Sequence, residues 1–258
     1  MKFQISNDMS FQSTTRGKQP MEDEEWSKAV KDLYEKKQLS GFQSVVTPET
    51  QDVLSMYQYF LDWETKYDID VSWGMMVCKS YGKEGTEHLF NQDNCGVLRE
   101  GISLILREIL SHQEQGINLK LDQRLLEKLF LNSLPQLTDT SGYGGRVHYP
   151  CTTFSRRAAI GIDGSRWACP HDYELGMTSE ESLKRCEEYY EKCASCTYHW
   201  ICRGICSGIT RAEKEKNCEN LWVFYSSFRR AILEILPPEY MEKIEDAQII
   251  QSFRYQWN

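Results

Sequence analysis

The feature that most constrains how this chain can fold is a set of seven cysteines between residues 151 and 218. Twelve residues separate the first cysteine from Gly164, and four residues separate Gly164 from the second cysteine. The next four are separated by two, five and three residues. Thiolates spaced this closely can hold soft metal, and the spacing indicates iron–sulfur clusters rather than one zinc ion. The set is Cys151, Cys169, Cys193, Cys196, Cys202, Cys206 and Cys218.

The composition of the chain indicates its cellular compartment and the classes of partner that it can bind. Its 258 residues, 40% of them hydrophobic, suffice for a sizeable core or for one large and one small domain. No apolar stretch approaches the ~20 residues of a membrane span, and the first residues lack an apolar signal core. We therefore expect a cytoplasmic protein with no membrane contact, in which disulfides are disfavoured. The net charge of −8 argues against a nucleic-acid partner.

Strand and helix patterns alternate in the first part of the chain. Residues 2–7, 41–47 and 69–77 have the apolar patterns of strands. Helical periodicity covers residues 24–37 and 97–109, and a further helix is predicted with Thr47 as its cap and Pro48 in its first turn. Such alternation predicts parallel strands covered by helices.

The rest of the chain is expected to differ from this α/β part. A helix is predicted over residues 113–134, followed by a boundary rich in Gly, Ser and Thr. We therefore predict an α/β partial barrel over residues 1–137. A small, irregular, cysteine-rich α+β iron–sulfur domain is predicted over residues 138–258, with a helix at residues 180–192. Its last helix starts near Cys218 and ends before Pro237.

Three strand–helix units cannot close a barrel, and open edges would expose unpaired backbone and apolar side chains. We expect another chain, or an additional N-terminal segment, to supply the missing strands.

The cysteines can be grouped by their spacing. Short gaps let one loop with Cys193, Cys196 and Cys202 wrap a metal centre, and Cys218 can reach back to it. Cys151 and Cys169 flank a predicted hairpin, for which Asp163-Gly164 is a strong turn signal. Cys206 could join that pair as a third ligand.

The whole pattern, with Trp167-Ala168-Cys169-Pro170 and Leu175-Gly176 around it, resembles the SPASM domain, the auxiliary-cluster module of many radical SAM enzymes. Residues 1 to about 116 resemble the second half of a radical SAM partial barrel. There Ser6 lies in the fourth strand and Arg16 at the arginine that often follows it, which makes both candidate cofactor-binding residues.

The resemblance implies two auxiliary [4Fe–4S] clusters. Cys151, Cys169 and Cys206 would hold the first, and Cys193, Cys196, Cys202 and Cys218 the second. It also implies modification of a peptide or protein substrate, as in ribosomal-peptide maturases and anaerobic sulfatase maturases. S-adenosylmethionine would bind only if the missing N-terminal part is supplied.

The sequence departs from the family pattern at three places. The radical-cluster motif, with cysteines spaced three and then two residues apart, is absent, so whether this chain is itself an enzyme stays open. An eighth cysteine is missing, which leaves either an open iron in the first cluster or a substitute ligand in His148. Pro170 follows Cys169 where sulfatase-maturating relatives have aspartate, and Asp172 is displaced; this favours peptide maturation.

Other interpretations remain for these residues. One alternative is a non-catalytic, peptide-binding module that is stabilised by clusters or by zinc. In the zinc form, His148, His171 or His199 would be added ligands. Cys186 is either a helix thiol or a replacement ligand. Cys78 and Cys95 stand apart and are predicted to be ordinary buried thiols.

Overall fold

A computed structural model of the chain describes residues 3–6, 24–78, 86–131, 159–161, 163–167, 176, 178, 180–181, 184 and 211–240. The fold of these residues is mixed α/β, with a parallel sheet, covering helices and a separate short hairpin. The boundary predicted at residue 138 and the other six cysteines of the predicted pattern lie outside the described residues. No helix in the described ranges combines the length and the apolar character that a membrane crossing requires.

The sheet contains three parallel strands in chain order: β1 (Phe3–Ser6), β2 (Leu39–Val46) and β3 (Trp73–Val77). In the pairing register, Ile5 lies beside Phe42 and Phe42 beside Trp73. Parallel pairing confirms the prediction made from strand–helix alternation. The third strand is shorter than predicted, because Ile69 and Val71 are buried without joining the ladder.

One face of the sheet carries the core. Helix α1 (Glu24–Glu35) precedes β2, and helix α2 (Val53–Tyr67) packs aromatic side chains on that face. The Phe60 ring lies 5.2 Å from the ring of Phe42 and 5.3 Å from that of Trp73, measured between centroids. The Trp73 indole also donates to the buried Ser44 hydroxyl at 3.0 Å. Alternation along β2 therefore places every second residue in the core.

The predicted start of α2 is wrong. Thr47 caps a short 3₁₀ turn, Pro48–Thr50, and accepts the Thr50 amide at 3.0 Å through its backbone carbonyl. Helix α2 begins only at Val53, where the carboxylate of Asp52 accepts the amide of Ser55 at 3.1 Å. Thr47 and Asp52 thus cap two successive elements, and the aspartate, which was not predicted, caps the longer one.

The helix predicted over residues 113–134 is also divided. Helix α3 (Gly96–Glu114) ends before Gly116, which adopts a φ of +72°. Helix α4 (Lys120–Leu125) then begins and continues as a π-helical segment, Leu126–Leu131. The carboxylate of Glu64 on α2 accepts the amides of Lys120 and Leu121 at 2.7 and 2.8 Å, so a side chain from another helix caps α4.

The predicted hairpin is confirmed. Strands β4 (Ala159–Ile160) and β5 (Arg166–Trp167) pair antiparallel, and Gly164 takes a φ of +81° in the turn. The Asp163 carboxylate accepts the amide and hydroxyl of Ser165, and these bonds lower the pKa of Asp163. Further on, the Thr178 hydroxyl accepts the Glu181 amide at 3.2 Å. Residues 180, 181 and 184 are helical, and the remainder of the helix predicted at 180–192 lies outside the described residues.

The final helix, α5, runs from Arg211 to Ile235. It ends just before Pro237, as predicted, but it starts seven residues before Cys218 rather than at that cysteine. Its apolar stripe, which includes Leu221, Phe224 and Phe228, joins the same core as the sheet and α2. Phe228 packs against Phe130 with ring centroids 5.7 Å apart.

Candidate functional site at the carboxyl edge of the sheet

Two of the nine residues predicted to form sites lie within the described ranges, namely Ser6 and Cys218. The other predicted residues lie outside them: Arg16, Cys151, Cys169, Cys193, Cys196, Cys202 and Cys206. Cys186, His148, His171 and His199 lie outside them as well. Within the described part of the chain, no group of three or more His, Cys, Asp or Glu side chains is placed to hold a metal ion.

Ser6 occupies the last position of β1 and is in register with Gln43 of β2, which is in register with Gly74 of β3. It therefore lies near the carboxyl edge, which we define as the end of the sheet formed by Ser6, Val46 and Val77. In parallel α/β folds, ligands bind outside this end of the strands. The role predicted for Ser6 stays a prediction.

The sheet face opposite the core is the more open one. Gln43 and Val45 of β2 are half-buried, and the Met76 side chain of β3 is 46% exposed. In a barrel of parallel strands, the face away from the helices points inward. A ligand at the carboxyl edge could extend along this face.

The side chain of Asn220 connects helix α5 to the carboxyl edge. Asn220 is fully buried, and its amide nitrogen donates to the backbone carbonyl of Cys78, the residue after β3, at 2.8 Å. The backbone amide of Phe90 donates to the amide oxygen of Asn220, also at 2.8 Å. A single buried amide thus joins α5 to the strand end and to the segment before α3.

Cys218 lies in the third turn of α5 and is half-buried. The turns around it contain several buried polar side chains: Glu213, Lys214, Asn217 and Asn220. Buried polar groups are normally hydrogen-bonded, as Asn217 is to the carbonyl of Glu213 at 3.0 Å. The buried side chains in the amino-terminal half of α5 are therefore mainly polar, whereas those of its other half are mainly apolar.

Side-chain contacts connect the loops at the carboxyl edge. Gln51 donates to the carbonyl of Pro48 at 2.7 Å and accepts the amide of Leu98, in α3, at 3.2 Å. His88 lies 3.1 Å from a carboxylate oxygen of Glu49. Burial raises the pKa of Glu49, but hydrogen bonds from Thr47, its own backbone and His88, with the charge of His88, lower it below the ordinary value.

The two isolated cysteines differ in burial. Cys95 is fully buried, as predicted, and its thiol donates to the carbonyl of Gln92 at 3.4 Å. Cys78 is only half-buried, because it follows the end of β3 at the carboxyl edge.

A second polar region lies at the opposite, amino edge of the sheet. Here a cleft of about 330 Å³ is lined by Tyr34, Leu39, Ser40, Gly41, Asp70, Ser72 and Arg124. Arg124 pairs with one carboxylate oxygen of Asp70, and the other oxygen is buried without a hydrogen-bond partner. This cleft contains none of the predicted site residues.

Sequence reasoning missed Asn220, which organises the carboxyl edge. Asparagine is a weak helix former, so its presence in an otherwise favourable helix was the available signal. Its partners are 130 and 142 residues away in sequence, a separation that no local pattern reveals.

Comparison with known proteins, by family model, by sequence and by structure, returns no match to this chain.

Proposed function

We propose that this chain is an iron–sulfur protein that binds two auxiliary [4Fe–4S] clusters and corresponds to the C-terminal part of a radical SAM peptide- or protein-modifying enzyme. The observation that carries the proposal is the spacing of the seven cysteines from Cys151 to Cys218 around Gly164. Thiolates are the usual ligands of such clusters, so the chemistry of the donor set fits. In this proposal the parallel sheet belongs to a partial barrel.

Three structural features support the proposal. The hairpin β4–β5 separates Cys151 from Cys169 in the chain, and its turn uses a positive φ at Gly164. Cys218 lies on a long, regular helix that packs into the core of the α/β part. The same helix is bonded to the carboxyl edge, where parallel α/β folds bind their ligands.

The residues divide into two ligand sets under this proposal. Cys151, Cys169 and Cys206 hold one cluster, with an open iron or His148 at its fourth position. The second is held by the set Cys193, Cys196, Cys202 and Cys218. When bound, the clusters supply electron transfer or, at an open iron, a binding position for a peptide.

S-adenosylmethionine enters the proposal only together with a radical-generating cluster. The motif for that cluster is absent from these 258 residues, so another chain or segment would supply it along with further barrel strands. Ser6 and Arg16 would then contact the cofactor. The proposed setting is cytoplasmic, with a peptide or protein substrate and, given the net charge of −8, no nucleic acid.

Metal analysis after anaerobic purification tests the proposal. Two four-iron clusters predict about eight iron and eight sulfide ions per chain. Cys218→Ser should lower both to about four, because it removes a ligand of the second cluster only. Cys95→Ser is the matched control, since Cys95 is fully buried and lies outside the pattern, and it should keep the full content. An iron-free protein, or equal iron loss in both variants, would contradict the proposal.

The second candidate is a non-catalytic peptide-binding module stabilised by zinc or by clusters. The absence of the radical-cluster motif favours it. Stoichiometric zinc without iron would support the zinc form. Formation of 5′-deoxyadenosine by the pure chain, given S-adenosylmethionine and a reductant, would exclude a non-catalytic module.

A further inference from the structure

The cleft at the amino edge of the sheet is formed by parts of the chain that are far apart in sequence. Its walls come from α1, the start of β2, the segment before β3 and α4, which contribute Tyr34, Leu39, Asp70 and Arg124. Its volume of about 330 Å³ lies at the lower end of the range for small-molecule sites. Because Ser6 ends β1 at the carboxyl edge, a ligand in this cleft would occupy a separate site.

The backbone on one side of the cleft is tightly packed around a glycine. Gly41 has a φ of +141°, and a Cβ at this position would overlap the carbonyl oxygen of Ser72. The same carbonyl accepts the backbone amide of Phe42 at 2.6 Å. The first residues of β2 and the segment before β3 are therefore held together by backbone contacts, which makes this side of the cleft preformed.

Two opposite charges lie side by side in the cleft. The guanidinium of Arg124 pairs with one oxygen of the Asp70 carboxylate, and the two side chains are 33% and 25% exposed. A guanidinium has several N–H donors, of which this pairing leaves some unused. The other oxygen of Asp70 is buried and has no hydrogen-bond partner among the described residues. The pair can therefore still donate through Arg124 and accept through Asp70.

These charges select the ligand by its own charge pattern. A simple anion at Arg124 would meet the carboxylate of Asp70, and a simple cation at Asp70 would meet the guanidinium. A zwitterion with adjacent charges satisfies both groups, since its carboxylate accepts from Arg124 while its ammonium group donates to Asp70. Rotation of the Asp70 carboxyl group about its last torsion, which has a broad minimum, turns the unpaired oxygen toward such a donor.

We propose that this cleft binds a small zwitterion, an α-amino acid with an apolar side chain, between Arg124 and Asp70. The apolar part of the ligand would lie against Tyr34 and Leu39, which line the cleft and are partly buried against the core. The inference goes beyond the proposed function and does not depend on it, because no predicted cluster ligand or cofactor residue lines the cleft.

The test titrates the full chain, purified anaerobically, with L-leucine and two analogues in a calorimeter at pH 7. One analogue, 3-methylbutylamine, lacks the carboxylate, and the other, 4-methylpentanoate, lacks the ammonium group. L-Leucine should bind with a Kd on the order of 1 mM, as is reasonable for so small a ligand. Each analogue should bind at least about tenfold more weakly, because it loses one charge-assisted hydrogen bond.

A double variant tests whether the ion pair is the site. Asp70→Asn with Arg124→Gln removes both charges together, so that neither is left unpaired. The matched control is Arg230→Gln with Glu234→Gln, which neutralises an exposed ion pair on α5, outside the cleft. The cleft variant should lose at least about tenfold in affinity for L-leucine, and the control should bind as the wild type does.

A second measurement needs no variant, in case the double variant does not fold. In the amide NMR spectrum of the wild type, L-leucine should shift the resonances of Gly41, Ser72 and Arg124. Absence of L-leucine binding, equal binding of either analogue, unchanged affinity in the cleft variant, or shifts confined to other residues would each overturn the proposal. Iron content is measured on the same samples, so failure of this inference is distinguishable from failure of the proposed function.

Discussion

A buried tyrosine between the helices provides a sharp test of the energetics of this fold. Tyr57 on α2 is fully buried, and its hydroxyl donates to the carboxylate of Asp122 on α4 at 2.7 Å. The other oxygen of that carboxylate lies 2.8 Å from the ring nitrogen Nδ1 of His112 on α3. Three helices therefore meet at one polar cluster inside an apolar core.

Replacing Tyr57 with phenylalanine removes one hydrogen bond to a buried carboxylate. Hydrogen bonds to charged groups contribute about 1.5–3 kcal/mol, so we expect Tyr57→Phe to lower the free energy of unfolding by about 2 kcal/mol near pH 7. In an Asp122→Asn background the acceptor is neutral, and the same substitution should cost about 1 kcal/mol. This background separates the contribution of the carboxylate's charge from any change in ring packing, which is common to both backgrounds.

The difference between wild type and Tyr57→Phe should change with pH. Burial raises the pKa of Tyr57 far above its ordinary value, and the hydrogen bond to Asp122 and the negative charges of Asp122, Glu108 and Glu64 raise it further. Above about pH 10 the unfolded chain loses the tyrosine proton while the folded chain keeps it. The contribution of the hydroxyl is thus fully present below that pH and is lost as the pH rises.

The magnitude follows from linkage. The wild type should lose about 1.4 kcal/mol per pH unit relative to Tyr57→Phe, so a difference of about 2 kcal/mol vanishes roughly 1.5 units above pH 10. Urea unfolding followed by circular dichroism at pH 7, 9 and several values above 10 measures both proteins. A stability difference that stays constant across this range would refute the reasoning, since Tyr57 would then ionise alike in the folded and unfolded chains.

The remaining predictions concern backbone geometry and capping. Gly41 has a φ of +141°, and a Cβ there would overlap the carbonyl of Ser72. Gly41→Ala should therefore cost about 3 kcal/mol or more in urea unfolding, whereas Gly74→Ala, whose new Cβ meets nothing within 4 Å, serves as the matched control with little change. Glu64→Ala leaves the two amides at the start of α4 without their acceptor, so it should lower the free energy of unfolding by about 2 kcal/mol and speed hydrogen exchange at those amides. The control Glu35→Ala, at an exposed position, should change the free energy of unfolding by no more than about 0.5 kcal/mol. Equal effects of both substitutions would contradict the capping role of Glu64.

The parts of the fold that sequence could predict depend on local chemistry. Strand β2 alternates buried and half-buried residues, and such alternation is readable without tertiary information. The turn of the hairpin was predictable from Asp163-Gly164, because glycine adopts the positive φ that the turn requires. Parallel pairing followed from strand–helix alternation, since parallel strands need a crossover connection.

The predictions that were wrong concern the boundaries of helices, which the local sequence does not determine alone. Thr47, the predicted cap, and Asp52 lie only five residues apart, and only the structure shows which one starts the α-helix. The start of α4 is stabilised by Glu64, which is 56 residues away from Lys120. Cys218 was placed at a helix start because the polar first turns of α5 lack the apolar periodicity of its second half.

The candidate site also combines features that the local sequence predicts with features that depend on distant contacts. The candidate thiolate ligands are identified by their local spacing, which can be recognised without knowing how the chain folds. The attachment of α5, which carries Cys218, to the strand end involves instead the contacts of Asn220, which have no local signature.

A cluster ligand on a packed helix has a consequence that loop ligands do not share. Cys218 lies on α5, whose apolar residues belong to the same core as β2, β3 and α2. If Cys218 ligates a cluster, as proposed, metal affinity would be coupled to folding of the α/β part, because its thiolate would be preorganised only while α5 remains docked. The buried Asn220 side chain contributes to that docking through two hydrogen bonds, one to the residue after β3 and one to the segment before α3.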